Sequence, residues 1–446
     1  MCTLESSFPE PARMASTQPR PARDRRHPPR PSPAPRRASA GPSLLPARAL
    51  VDVHEARAVT RFGAEASSSL AWDGIWHDVE KLYATGLHPA IALNVSWQGR
   101  PVLDRTIGHV ENEPRGPTRH VATPDTLFNL FSASKIVTAT LVHALVDDGV
   151  LGLDMRPADF IPEFGSHGKD RIRLRHLLDH TAGIPDMPPG LDVEAALRAG
   201  RVPLQPLCDI HPVSPPGQRV AYAPVTSWVI VQEMVERATG RSLGPLLRER
   251  ILDPLGFVNM GYGVSPERVD EVARHAVTGP PVPPIMNRIF RRTVGVDLDT
   301  AVPITNSPTF LTAVLPSANV IGTPREVTRF LEMLRRGGEL DGVRVLSEAA
   351  VRRATTHVTP RQFDGTFGFP MRYGLGVMMG GRRFSLFGLN TAGAFGHLGL
   401  STVVIFVDPH RDLSVTFLNT GKPMMDLGMV RWYQVLQRIA GMVPRR

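Results

Sequence analysis

The 446-residue chain predicts a mixed α/β (α+β) fold: an antiparallel sheet flanked by helices, with a mostly helical domain inserted into it. Three observations predict this. Strand-like runs with period-two patterning collect near the two ends of the folded part, at Ala90–Ser96 and Pro101–Ile107 and again from Tyr373 to Asn419. The stretch between them is rich in helical spacing. One run, Ile136 to Val146, is so uniformly apolar that it reads as a helix buried on most sides. A sheet that takes strands from both ends around a helical insertion follows from that order.

The elements divide the chain into a tail over 1–62, a first part of the α/β domain over 63–130, a helical domain over 131–310 and a second part of the α/β domain over 311–446. The tail is Pro/Arg-rich. Residues 1–49 hold nine arginines against Glu5, Glu10 and Asp24, a net +6, so the formal charge of +9 leaves +3 for the rest. With almost no aromatic or β-branched residues this stretch cannot bury enough surface to order itself, and disorder is expected. It lacks the apolar core of a secretory signal, and its prolines forbid the amphipathic helix of a transit peptide. The body shows no basic patch interleaved with aromatics, so no nucleic acid is expected as a partner.

Two cysteines, Cys2 and Cys208, make no disulfide framework and fit a reducing compartment, here the cytoplasm. No apolar run reaches the roughly 18 residues of a transmembrane segment.

Leu70, Ile75, Val79 and Leu82 recur at helical spacing until Gly86 and Pro89. A hairpin follows, turning at Gln98-Gly99, and Thr126–Leu130 is another short strand. Asn94-Val95-Ser96 matches a glycosylation acceptor but is read as strand. Val225–Ala238 and Leu243–Leu252 are helical, residues 275–310 read as a long proline-rich loop, and Pro324–Arg336 is helical. Strands are expected at Tyr373–Met379, Ala394–Gly399, Ser401–Val407 and Leu413–Asn419, then a last helix from about Met429 to Ile439.

The chemistry gathers at Phe131-Ser132-Ala133-Ser134-Lys135. Ser132 stands at the start of the buried helix, where unpaired N–H groups and the positive dipole end favour charge on an attacking oxygen. Lys135 is one turn later on the same face, and desolvation would lower its pKa. Moving it from about 10.4 to about 7 corresponds to roughly 4–5 kcal/mol, the kind of cost that goes with activating a serine. The same spacing also fits a capping serine beside a snorkelling lysine. The chain has four lysines, at 81, 135, 169 and 422, and Ser166-His167-Gly168-Lys169 repeats the spacing in a segment read as a loop. His176 and His180 have a metal-compatible spacing without a third ligand, so no metal and no cofactor are expected.

Five motifs in order resemble one family: Phe131-Ser132-Ala133-Ser134-Lys135; Leu177-Leu178-Asp179-His180-Thr181-Ala182-Gly183-Ile184-Pro185; Pro216-Gly217 before Tyr222; Asp253-Pro254-Leu255-Gly256; and Gly396-His397-Leu398-Gly399. From about Phe128 to Gly421 the chain is similar to the serine β-lactamase and penicillin-binding-protein-like hydrolases, on the class C branch with its esterases and D-amino-acid peptidases. The resemblance implies a β-lactamase/transpeptidase-like fold with its site in a cleft. It implies Ser132 as the acylated nucleophile and Lys135 and Tyr222 as its proton partners, in an order left open. The N–H groups of Ser132 and Leu400 would form the oxyanion hole, with His397 and Gly399 from the third motif beside the substrate, contributing roughly 3–4 kcal/mol to the transition state.

Two departures bear on the substrate. Tyr222-Ala223-Pro224 stands where lactam-processing members have Tyr-x-Asn, and His397 stands where they usually carry Lys. Both point to a carboxylic-ester hydrolase acting on small or medium acyl esters. A β-lactamase or D-amino-acid peptidase, and a non-catalytic binding relative, are the alternatives.

Overall fold

The structure is a computed structural model and describes residues 70–111, 120–383, 385–424 and 426–446. The predicted tail over 1–62 lies outside these residues. In chain order the elements that position the site are α1 (Leu70–Tyr83), β1 (Ala90–Trp97), β2 (Arg100–Gly108), α2 (Ser134–Asp147), α3 (Thr226–Thr239), α4 (Pro284–Val294), α5 (Leu298–Thr305), α6 (Pro324–Arg335), β3 (Met378–Met379), β4 (Phe395–Leu398), β5 (Val404–Asp408), β6 (Leu413–Asn419) and α7 (Leu427–Met442).

The sheet has six strands in the order β3-β4-β5-β6-β1-β2, every pair antiparallel. β1 sits between β2 and β6, so the two ends of the chain meet in the middle of the sheet. Both faces are covered, and the period-two pattern sorts side chains between them. Ile91, Leu93, Val95, Val404, Phe406, Val415 and Phe417 point to one side, packing with Trp72, Ile75 and Val79 of α1 and Trp432, Val435 and Leu436 of α7. Ala90, Ala92, Ile405, Val407 and Leu418 point to the other, where Val327, Phe330, Leu331 and Leu334 of α6 continue the core into α2. Thr328 of α6 donates to Thr416 of β6 across this face at 2.8 Å.

Residues 275–310, read as a loop, instead hold α4 and α5 and the start of a short turn at Pro308–Leu311. Pro284 and Pro308 stand in first turns, where a helix tolerates proline, Pro303 lies inside α5, and Gly295 ends α4 in a left-handed conformation. Two of the prolines counted as loop signal, Pro284 and Pro308, mark helix starts. Of the strand expected over Tyr373–Met379 only Met378–Met379 joins the sheet, because the chain bends at Gly376, φ +87°, and folds Tyr373 back against Met378.

Candidate active site

The turn that carries Ser132 is fixed before the helix starts. Phe128–Asn129 pairs antiparallel with Val320–Gly322, Leu130 N–H donates to Val320 O at 2.9 Å, and Val320 N–H donates to Ser134 Oγ at 2.9 Å. Phe131 is forced to φ +49°, a left-handed conformation that costs a bulky residue of the order of 1–3 kcal/mol. Its N–H is held by Asn129 Oδ1 at 3.1 Å, and its ring by Lys422 Nζ at 4.7 Å and the His275 ring at 4.6 Å. Ser132 thus sits, half-buried, in a single 3-10 turn (Phe131–Ala133) that runs into α2, rather than in the α-helix itself.

Of the 14 residues of α2, twelve are buried, Lys135 among them. Its Nζ donates to Ser317 O at 3.1 Å and to Ser132 Oγ at 3.2 Å, and lies 5.2 Å from the Tyr222 ring and 5.9 Å from that of Trp228. Loss of water holds its pKa well below that of a free lysine.

Tyr222 arrives from 90 residues downstream and is held by its backbone. Its N–H donates to Asp364 Oδ2 at 3.0 Å and its C=O accepts from Thr366 Oγ1 at 2.8 Å. The buried Asp364 carboxylate also accepts from Thr366 N–H at 2.8 Å, Phe367 N–H at 2.9 Å and Tyr373 Oη at 2.9 Å. The Tyr222 ring stacks on Phe367, centroids 4.8 Å apart. Burial pushes the phenol well above the ordinary tyrosine value, the Ser132 hydroxyl opposing this in part.

The Asp179-His180-Thr181 motif buttresses this tyrosine. His180 O accepts from Ala221 N–H at 3.0 Å and His180 Nδ1 from Ala223 N–H at 3.2 Å, while its ring packs 4.7 Å from both Tyr222 and Tyr373. Burial and the nearby Lys135 and His397 keep His180 neutral. Its neighbour in the metal-like spacing, His176, accepts Arg173 N–H at 3.1 Å.

His397 is on β4, which packs against the Ser132 turn. It is 1% exposed, its Nδ1 donates to Leu398 O at 2.6 Å, and its ring centroid is 6.0 Å from that of Tyr222. Burial first, then Lys135, lowers its pKa to about 3, so it is neutral at pH 7. A Cβ on Gly399 would stand 2.5 Å from Leu130 O; only glycine lets the strand end approach the turn this closely. Leu400 follows, half-buried.

The structure therefore brings Ser132, Lys135, Tyr222, His397 and Gly399 to one place. Sequence reasoning missed Asp364, Tyr373, Phe367 and the Ser317 carbonyl. Only Asp364 left a signal: it is the single acidic residue between 358 and 407, followed by a glycine.

A half-buried serine in contact with a buried lysine, with a buried tyrosine ring beside the amine, has the chemistry a serine nucleophile needs. Comparison with known proteins agrees. The Beta-lactamase family model matches residues 78–439, and the chain belongs to that family of serine hydrolases. It is similar to the Esterase/beta-lactamase LipL of Mycobacterium tuberculosis, 25% identical over 80% of this chain and 83% of that protein. Esterase EstB of Burkholderia gladioli is 27% identical over 62% and 72%. Among solved structures, a penicillin-binding protein homolog from Caulobacter crescentus superposes with a TM-score of 0.72 at 26% identity, covering 86% of this chain and all of the other. No helix of the described residues is long and apolar enough to cross a membrane.

Proposed function

We propose that the protein hydrolyses carboxylic esters of small to medium acyl groups through an acyl-enzyme on Ser132. The observation that carries this is the 3.2 Å contact between Ser132 Oγ and a desolvated Lys135. A neutral amine at that distance can take the Oγ proton as Oγ attacks the ester carbonyl. A phenol whose pKa is raised stays protonated and can donate to the departing alkoxide as the C–O bond breaks. Lys135 is thus the base, and Tyr222 the acid that Lys135 reprotonates; water then attacks the acyl-enzyme and frees Ser132. The N–H groups of Ser132 and Leu400 are assigned to the oxyanion, and the close approach at Gly399 supports that assignment.

Ester rather than lactam or D-peptide is favoured because His397 is neutral and Pro224 offers no side-chain amide, so neither a substrate carboxylate nor a substrate amide has its usual partner. A partly open apolar cavity of about 130 Å³, walled by Met187, Val225, Val229, Val294 and Leu315, adjoins the site through Ser317. It is close in size to an apolar cavity of about 150 Å³ that holds a benzene ring, and suits a short acyl chain. The free, buried Cys208 accords with a reducing compartment, and we place the protein in the cytoplasm.

The test is p-nitrophenyl butyrate beside a chromogenic cephalosporin, with a fluorophosphonate probe on wild type and Ser132→Ala. Ester turnover with labelling lost in the variant is expected. Cephalosporin turnover without ester turnover would overturn the ester assignment.

A further inference from the structure

We propose that a groove beside the outer strand of the sheet, on the far side of the loop that covers Tyr222, binds an amphiphilic organic phosphate. The groove encloses about 690 Å³, within the roughly 300–1,000 Å³ of small-molecule sites. Arg361, Arg372 and Arg382 line it, together with Phe369, Met371 and Met379. One wall is the Gln362–Phe363/Pro370–Met371 hairpin, the other the chain leading out of β3 at the sheet edge.

The charge there is unbalanced. Asp364 is the only acidic residue from 358 to 407, and its carboxylate is 1% exposed and already occupied by Tyr222, Thr366, Phe367 and Tyr373. Among the described residues no carboxylate is paired with the three arginines, although most other arginines of the body have one. Arg445 adds a fourth guanidinium, its Nη2 donating to Ala392 O on the groove wall at 3.0 Å.

Three guanidinium forks exceed what one carboxylate neutralises. A phosphate, with about two negative charges and three acceptor oxygens, matches them. Phe369, which is 37% exposed, and the two methionines give an apolar body somewhere to lie. The N-terminal segment of this chain is excluded as occupant by its own net +6 over residues 1–49. The site is separate from the reaction proposed above, though its wall is shared: Phe369 packs 5.5 Å from Phe367, which stacks on Tyr222.

The test titrates the full chain calorimetrically with dodecyl phosphate below its micelle concentration, with dodecyl maltoside and inorganic phosphate as controls. Dodecyl phosphate should bind one to one and at least tenfold more tightly than either control. R361E/R372E/R382E should weaken it at least tenfold; should that variant melt early, the single exposed change R382E should still weaken it threefold or more. Maltoside binding as tightly as the phosphate, or charge reversal that leaves Kd unchanged, overturns the proposal. So does binding of single-stranded DNA, lost in the same variants, without binding of dodecyl phosphate. Co-sedimentation with phosphatidic acid vesicles but not phosphatidylcholine would identify a membrane headgroup as the source, and calorimetric binding without sedimentation a free amphiphile; both uphold the phosphate chemistry.

Discussion

Two serine–lysine pairs at the same three-residue spacing lie in this chain, and they differ in what each amine meets. Lys169 Nζ donates to three carbonyls, of Ser166, Cys208 and Ile210, at 3.0, 2.8 and 2.7 Å, while Ser166 Oγ donates to Cys208 O at 2.7 Å and stands 3.5 Å from Nζ, at the limit of a hydrogen bond. The backbone between them leaves the helical region at His167 and Gly168. This amine ties two loops together; burial lowers its pKa too, but its three carbonyl partners favour the charged form. Lys135 has one carbonyl, one hydroxyl and two ring faces. Three carbonyl dipoles stabilise an ammonium; one carbonyl in an apolar pocket does not, and the proton becomes available for exchange with Ser132.

The largest effect that separates the pairs is on rate. Ser132→Ala should lower kcat for p-nitrophenyl butyrate by about 10⁴–10⁶-fold, whereas Ser166→Ala should leave it within about twofold. Equal activity in the two variants would remove Ser132 as nucleophile. Tyr222→Phe should cost about 10²–10³-fold in kcat with little change in KM, since only a proton donor is lost.

Stability should move the other way. Lys169→Met strands three carbonyls and should destabilise by about 2–4 kcal/mol in urea unfolding. Lys135→Met removes a poorly solvated amine and should unfold no more easily than wild type, while losing about 10³-fold in kcat. A Lys135→Met protein as unstable as Lys169→Met would erase the distinction.

A further contrast concerns pH. His397 is held to about 3, His88 to about 3 and His143 to about 4, in each case chiefly by burial. These folded values lie below the unfolded value of about 6.5, so the unfolded chain binds more protons in between. The stability contributed is whole above about pH 6.5 and is lost as pH falls toward 4, at up to about 1.4 kcal/mol per pH unit for each histidine. Urea midpoints measured from pH 7 to 4.5 should fall steadily, and His397→Gln should flatten the decline. A midpoint constant over that range would show that these histidines are not held neutral.

The buried helix after Ser132, the strands at both ends and the altered third motif were legible because each is a local pattern: uniform apolarity, alternation, a histidine where a lysine is usual. The α4–α5 region was not, since a proline at a helix start and a proline in a loop look alike until neighbours supply or withhold the missing hydrogen-bond partners. The same limit hid Asp364. A carboxylate is read from sequence as a solvated charge, and only the fold shows it shut away, gripping the backbone of a tyrosine 142 residues earlier.

By itself, then, the sequence determined the spacing of the serine and lysine, the apolar helix they open and the residue types at the second and third motifs. Tertiary structure alone decided which of the two buried lysines keeps three carbonyl partners and which only one, that the Tyr222 ring packs beside Lys135, and that His397 is neutral. Those outcomes depend on how much water and how many dipoles surround each group, and residues far apart along the chain supply both.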